Sequence, residues 1–141
     1  MKCSIVQKVD AMSFQDKILT ALKTAKNHLE NSMTAKTKNN EELFKNAIWH
    51  AAAELEYALF FFSMIFENES QRQKWKANPK LKKADLNSML NKTQELLSEA
   101  EKLVGENMLE AYKNAYLARH YMLKIQGEIA KKKREKSSKK K

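Results

Sequence analysis

Three histidines, one cysteine and a scatter of carboxylates are the groups in this chain that could hold a metal ion or move a proton. His50 and Glu54 stand four residues apart. On a helix that spacing stacks them one turn apart on a shared face, where an imidazole and a carboxylate can ligate one ion or pass a proton. Glu56 stands close by. A di-metal bundle site asks for Glu-x-x-His on two helices plus two further glutamates, and no Glu-x-x-His occurs. His28 and His120 fall in other segments, so each histidine reads best as a packed interior or rim side chain. No metal or cofactor is expected. Arg119 and His120 together have the chemistry to hold and cleave an RNA backbone, but neighbouring helical positions diverge by about 100°. No Gly-x-Ser-x-Gly nucleophile turn and no Gly-rich phosphate loop is present, and two glycines, Gly105 and Gly127, are too few to build a phosphate cradle. No catalytic residue is assigned.

The basic residues carry the clearest functional pattern. Net charge is +10, yet Lys131–Lys141 holds eight Lys/Arg against one Glu, and the rest of the chain is only +3. Lys131, Lys132, Lys133, Arg134, Lys136, Lys139, Lys140 and Lys141 form an arm that attracts polyanions by counterion release without reading sequence. The same run could serve as an import signal, bind anionic lipid or simply solubilise the chain. In the body, Arg72, Lys74, Trp75 and Lys76 place one aromatic among cations, the best body candidate for an acidic partner. The other aromatics, Trp49, Tyr57, Tyr112, Tyr116 and Tyr121, stand at helical spacing among apolar neighbours and read as core.

Elements that would position these groups follow from the period of apolar residues. One proline and two glycines exclude turn-rich β architectures. Phe14, Ile18, Leu22, Ala25 and Leu29 predict a first helix over about Phe14–Asn31 with Ser13 as its cap. Residues 1–12 are expected to be a flexible N-terminus, and they lack the apolar core of a signal peptide. Ser32–Asn40 reads as a connection. Asn40 followed by Glu41 and Glu42 starts a second helix, whose Tyr57–Phe66 run is apolar all round. That run is too short to cross a membrane, so it must be central or meet another subunit as well. A third helix is predicted from Asn78-Pro79 or from Asp85 to a stop at Gly105, and a fourth from Asn107 to Ala130. Residues 131–141 can bury nothing and are expected to be disordered. Residues 13–130 thus form an all-α, antiparallel bundle of about four helices. Its stripes share one interior that includes Leu22, Phe62, Leu97 and Met122. With a single cysteine, Cys3, no internal disulfide forms, and a reducing, cytoplasmic setting is expected.

ALKTAKNHLE, then NNEELFKNAIWHAAAELEYALFF, and finally EAYKNAYLARHYMLKI resemble the helices of HEPN-like domains. The resemblance implies a helical bundle, frequent dimerisation and, in active members, metal-independent RNA cleavage by an Arg followed four to six residues later by a His. No Arg stands at that spacing here; the nearest match is Lys45 before His50, and lysine lacks the planar fork that clamps a phosphate. The resemblance therefore implies a non-catalytic member. Taken together, the sequence points to a non-enzymatic helical interaction module, dimeric through Tyr57–Phe66, with nucleic acid or an acidic protein as partner of its basic arm. The alternative is an HEPN-like RNase or toxin–antitoxin component.

Overall fold

The computed structural model describes the backbone of residues 2–66 and 85–139, with side chains for 14–66 and 85–132. The described residues form four helices: α1 (Lys2–Thr37), α2 (Glu41–Ile65), α3 (Leu86–Leu103) and α4 (Met108–Lys139). The all-α expectation holds.

The helix ends follow local chemistry. Asn40 caps α2 by accepting from the Leu43 amide at 3.1 Å. Asp85 caps α3 by accepting from the Ser88 amide at 2.7 Å, so of the two predicted starts the Asp85 one is realised. Asn107 does the same for α4 through the Glu110 amide. Between α3 and α4, Gly105 takes φ +90°, and the amides of Glu106 and Asn107 both donate to the Leu103 carbonyl. A residue with a side chain resists that backbone conformation, so glycine is the natural stop.

The first helix is a correction. It begins at Lys2 rather than Phe14, so Ser13 lies inside it, and it continues past Asn31 to Thr37. No glycine or proline interrupts this stretch, and Ala35 is buried while Ser32 returns its hydroxyl to the Leu29 carbonyl at 2.6 Å. The turn proper is only Lys38–Asn40, with Asn39 in the left-handed region at φ 58°, a conformation asparagine tolerates. Helical backbone in α4 runs to Lys139, past the last apolar position at Ala130.

α1 packs mainly on α2 and α3 on α4, and the two pairs close against each other through α1–α3 and α2–α4. His28 meets His50 and Phe14 meets Phe61; Lys26 meets Glu101 and Lys36 meets Asn87; Phe62 and Phe66 meet Tyr112 while Glu56 meets Arg119. In each pair the numbers run in opposite directions, so every adjacent pair is antiparallel. It follows that α2 and α3 run the same way, and the end of α2 and the start of α3 lie at opposite ends of the bundle. Leu22, Phe62, Leu97 and Met122 share one buried cluster with Ile18, Leu55 and Ile125. On α4 the stripe narrows to Ala111, Ala115 and Ala118, all fully buried. These small side chains let the neighbouring helices approach closely. No helix among the described residues is long and apolar enough to cross a membrane.

Candidate interaction surface

The residues singled out for chemistry do not converge. Lys45 and His50 share α2, but five positions turn them about 140° apart. Arg119 is engaged by Glu56. The His120 ring lies 5.0 Å from that of Tyr116, and its Nε2 is enclosed without a hydrogen-bond partner among the described residues. One pairing escaped the sequence reading. The rings of His28 and His50 stack at 5.1 Å across the α1–α2 seam. The antiparallel register of α1 and α2 creates this pair, and no spacing within one segment announces it. No group of three or more His, Cys, Asp or Glu side chains suited to a metal ion occurs among the described residues. Among the described residues, Asp85 is the carboxylate whose titration is clearly displaced. The Ser88 backbone amide, then the Ser88 hydroxyl, holds it below the usual carboxylate range; this is a capping effect, and the group is fully exposed. An open depression of about 570 Å³ is lined by α3 alone, through Asn91, Gln94, Glu95, Ser98, Glu99 and Lys102. A hollow on one helix converges on nothing.

The basic candidates separate into two groups. Lys131 and Lys132 are exposed on α4. The side chains of Lys133, Arg134, Lys136, Lys139, Lys140 and Lys141 lie outside the described residues, as do Arg72, Lys74, Trp75 and Lys76.

The unexpected feature is the outer side of α2. Trp49 is 66 % exposed, Phe60 55 %, Tyr57 50 % and Met64 37 %. With exposed Ala53 they recur at steps of four, four, three and four, so they form one stripe. It runs about 22 Å along the helix. Trp49 and Tyr57 as core residues are therefore a correction. The inner side of α2 is already filled by Ile48, Ala51, Leu55, Ala58 and Phe62, and a helix has room for only one such face toward a bundle. Tyr112, Tyr116 and Tyr121 pack partly buried against the core as expected. The stripe rests on a firm base: Tyr57 and Phe60 both set their rings edge-on against buried Phe61, at 4.7 and 5.4 Å. Lys17 lies 5.1 Å over the Phe61 ring from the α1 side.

Comparison with known proteins gives no match: no family model, no curated protein and no solved structure aligns with the chain. The functional reading therefore rests on the surface itself. Between Trp49 and Met64 the charged residues are Glu54 and Glu56, and Glu56, the nearer to the stripe by helical position, pairs with Arg119 of the same chain. A wide apolar strip whose nearest carboxylate is paired within the chain is a surface suited to another apolar surface.

Proposed function

We propose that this chain is a non-enzymatic helical-bundle interaction module that self-associates through the outer face of α2, and that its Lys-rich C-terminal segment adds attraction for nucleic acid or another polyanion. The observation that carries the reading is the exposed Trp49–Met64 stripe on a bundle whose core is otherwise closed. Three aromatics of about 150–250 Å² each, half or more exposed, together with Met64 leave about 400 Å² of apolar surface in water. A patch of that size lies in the range of the largest apolar patch of a folded monomer, which is often functional. Sedimentation velocity from micromolar to hundred-micromolar concentration tests it. The expected result is concentration-dependent association in the wild type that Phe60→Glu abolishes. A wild type that stays monomeric throughout removes the self-association reading.

Together with the HEPN-like resemblance, this describes a non-catalytic member of that family. The enzymatic alternative places Lys45 and His50 in RNA cleavage. An RNA cleavage assay of the wild type against His50→Ala separates the two: cleavage that the substitution removes would establish the enzyme, and absence of cleavage in both supports the interaction module.

A further inference from the structure

We infer that the α2 face is covered by the same face of a second copy laid antiparallel, with a two-fold axis between Glu56 and Tyr57, so that each Ala53 receives the partner's Phe60. This deepens the self-association reading and rests on it. In a two-fold contact, if residue i meets j, then j meets i. For antiparallel helices the paired numbers then run in opposite directions from the axis. An axis between Glu56 and Tyr57 sets Trp49 against the partner's Met64, Ala53 against the partner's Phe60, and Tyr57 against the partner's Glu56.

Size and charge both select this arrangement. The smallest side chain of the stripe faces a ring that is more than half exposed, so a knob enters a hole. The indole of Trp49 faces a flexible thioether, a favourable soft contact. A parallel pairing instead sets Trp49 on Trp49, Tyr57 on Tyr57, Phe60 on Phe60 and Ala53 on Ala53, giving three collisions and one gap. It also brings Glu41 and Glu42 of the two copies side by side at like helix ends, whereas the antiparallel pairing sends them to opposite ends. Glu56, nearest the axis, arrives already paired with Arg119.

The area agrees with a specific contact. A standard interface buries about 800 Å² per partner. The stripe supplies about half of that as apolar surface, and its polar margins on α1, α2 and α4 supply the remainder. The alternative cover, the chain's own residues 67–84, offers Trp75 and Leu81 as its only large apolar side chains, too few for a strip of about 22 Å. In the antiparallel dimer the C-terminal ends of the two α4 helices also lie at opposite ends, because each α4 runs against its own α2. The two Lys-rich segments then reach separate polyanion segments rather than pooling on one.

Cysteine crosslinking in a Cys3→Ser background tests the register. Trp49→Cys and Met64→Cys lie on the exposed surface, so neither disturbs the core. Copies of position 49 stand about 22 Å apart in the antiparallel dimer, beyond the roughly 7 Å limit of a disulfide. The expected result is that each variant alone stays uncrosslinked under mild oxidation while their mixture yields a heterodimer. Each variant crosslinking to itself overturns the antiparallel register. A second measurement needs no new thiol: Ala53→Phe fills the hole and is expected to raise the dimer Kd about tenfold or more, although it makes the face more apolar. The swap Ala53→Phe with Phe60→Ala re-forms the pair with its members exchanged and is expected to recover most of the affinity. Tighter association of Ala53→Phe overturns the Ala53–Phe60 pairing. If the wild type dimerises while these outcomes fail, only the register falls; a wild type that never dimerises removes both this inference and the reading beneath it. A monomer whose Trp49 emission, read in a Trp75→Phe variant, is shielded from iodide assigns the cover to residues 67–84.

Discussion

Phe60 and Phe62 are two residues apart on one helix, and replacing each by alanine should read out two different physical roles. Phe62 is 0 % exposed and its ring lies 5.8 Å from that of Tyr112. Its loss removes the whole side chain from the core and leaves a cavity, a cost of about 3–5 kcal/mol. At about 2–4 °C per kcal/mol for a chain of this size, the melting temperature should fall by about 6–20 °C. Phe60 is 55 % exposed. Under half of about 200 Å² is out of water, which at about 25 cal/mol per Å² bounds the loss at about 2 kcal/mol, with no cavity term because water fills the space. A loss of about 1 kcal/mol or less is expected in the monomer. The dimer should weaken at least tenfold, the behaviour of a central aromatic anchor. Thermal unfolding by circular dichroism at a concentration where the wild type is monomeric, paired with sedimentation equilibrium, measures both quantities. Equal destabilisation by the two substitutions in the monomer would refute the reasoning, since Phe60 would then be covered within its own chain.

Three other outcomes follow from the same fold. Removing residues 131–141 takes away +7 of the +10 net charge; it should abolish most affinity for a labelled polyanion, flatten the salt dependence by about 0.9 per lost phosphate contact, and leave sedimentation of the dimer unchanged. Gly105→Ala, at φ +90° and with its new Cβ 2.7 Å from the movable Gln15 amide, should cost about 1–2 kcal/mol through the backbone, whereas Gly127→Ala meets nothing within 4 Å and should gain about 0.5–1 kcal/mol inside α4; denaturant midpoints compare them. Asp85 has its folded pKa depressed, so its capping contribution is present above its unfolded pKa and is lost as pH falls through the lower folded value; the stability of Asp85→Asn relative to wild type should therefore change below about pH 4 and stay constant above it, read from melting temperatures across acid pH.

The inner architecture was legible because burial repeats with the helical period. Leu22, Phe62, Leu97 and Met122 come from four separate stripes and meet in one cluster. Asn40 and Asp85 announce their helices because each can satisfy an exposed amide, and Gly105 announces a stop because its backbone demands it. The length of α1 was not legible: polar residues at 32–37 suggest a loop, but they are compatible with helix and nothing breaks it before Asn39. The stripe on α2 was half legible. Its apolar run signals two faces needing cover, but hydrophobicity alone does not say which face the bundle takes. Trp49 and Tyr57 have the composition of core and the position of surface. The stacking of His28 on His50 depends on the register between two helices, a quantity set by packing and invisible in either segment.

The two proposed surfaces call for chemically different occupants, and charge decides which goes where. α2 carries Glu41, Glu42, Glu54 and Glu56 against Lys45 alone. A phosphate backbone approaching the aromatic stripe would meet this acidic helix, with Arg119 already engaged by Glu56, and would find among the described residues of α2 one lysine, Lys45, to replace its released counterions. Base stacking on Trp49 or Tyr57 would have to overcome the repulsion of four glutamates with one lysine, Lys45, on the same helix. An apolar protein face meets no such cost: it displaces water from the rings and leaves the glutamates at the rim in solvent. The Lys-rich segment has the opposite character. It holds eight cations and no apolar side chain, so it can gain from counterion release and has nothing to bury. A protein helix therefore suits α2, a polyanion suits residues 131–141, and the antiparallel run of α4 against α2 keeps the two from competing for one ligand.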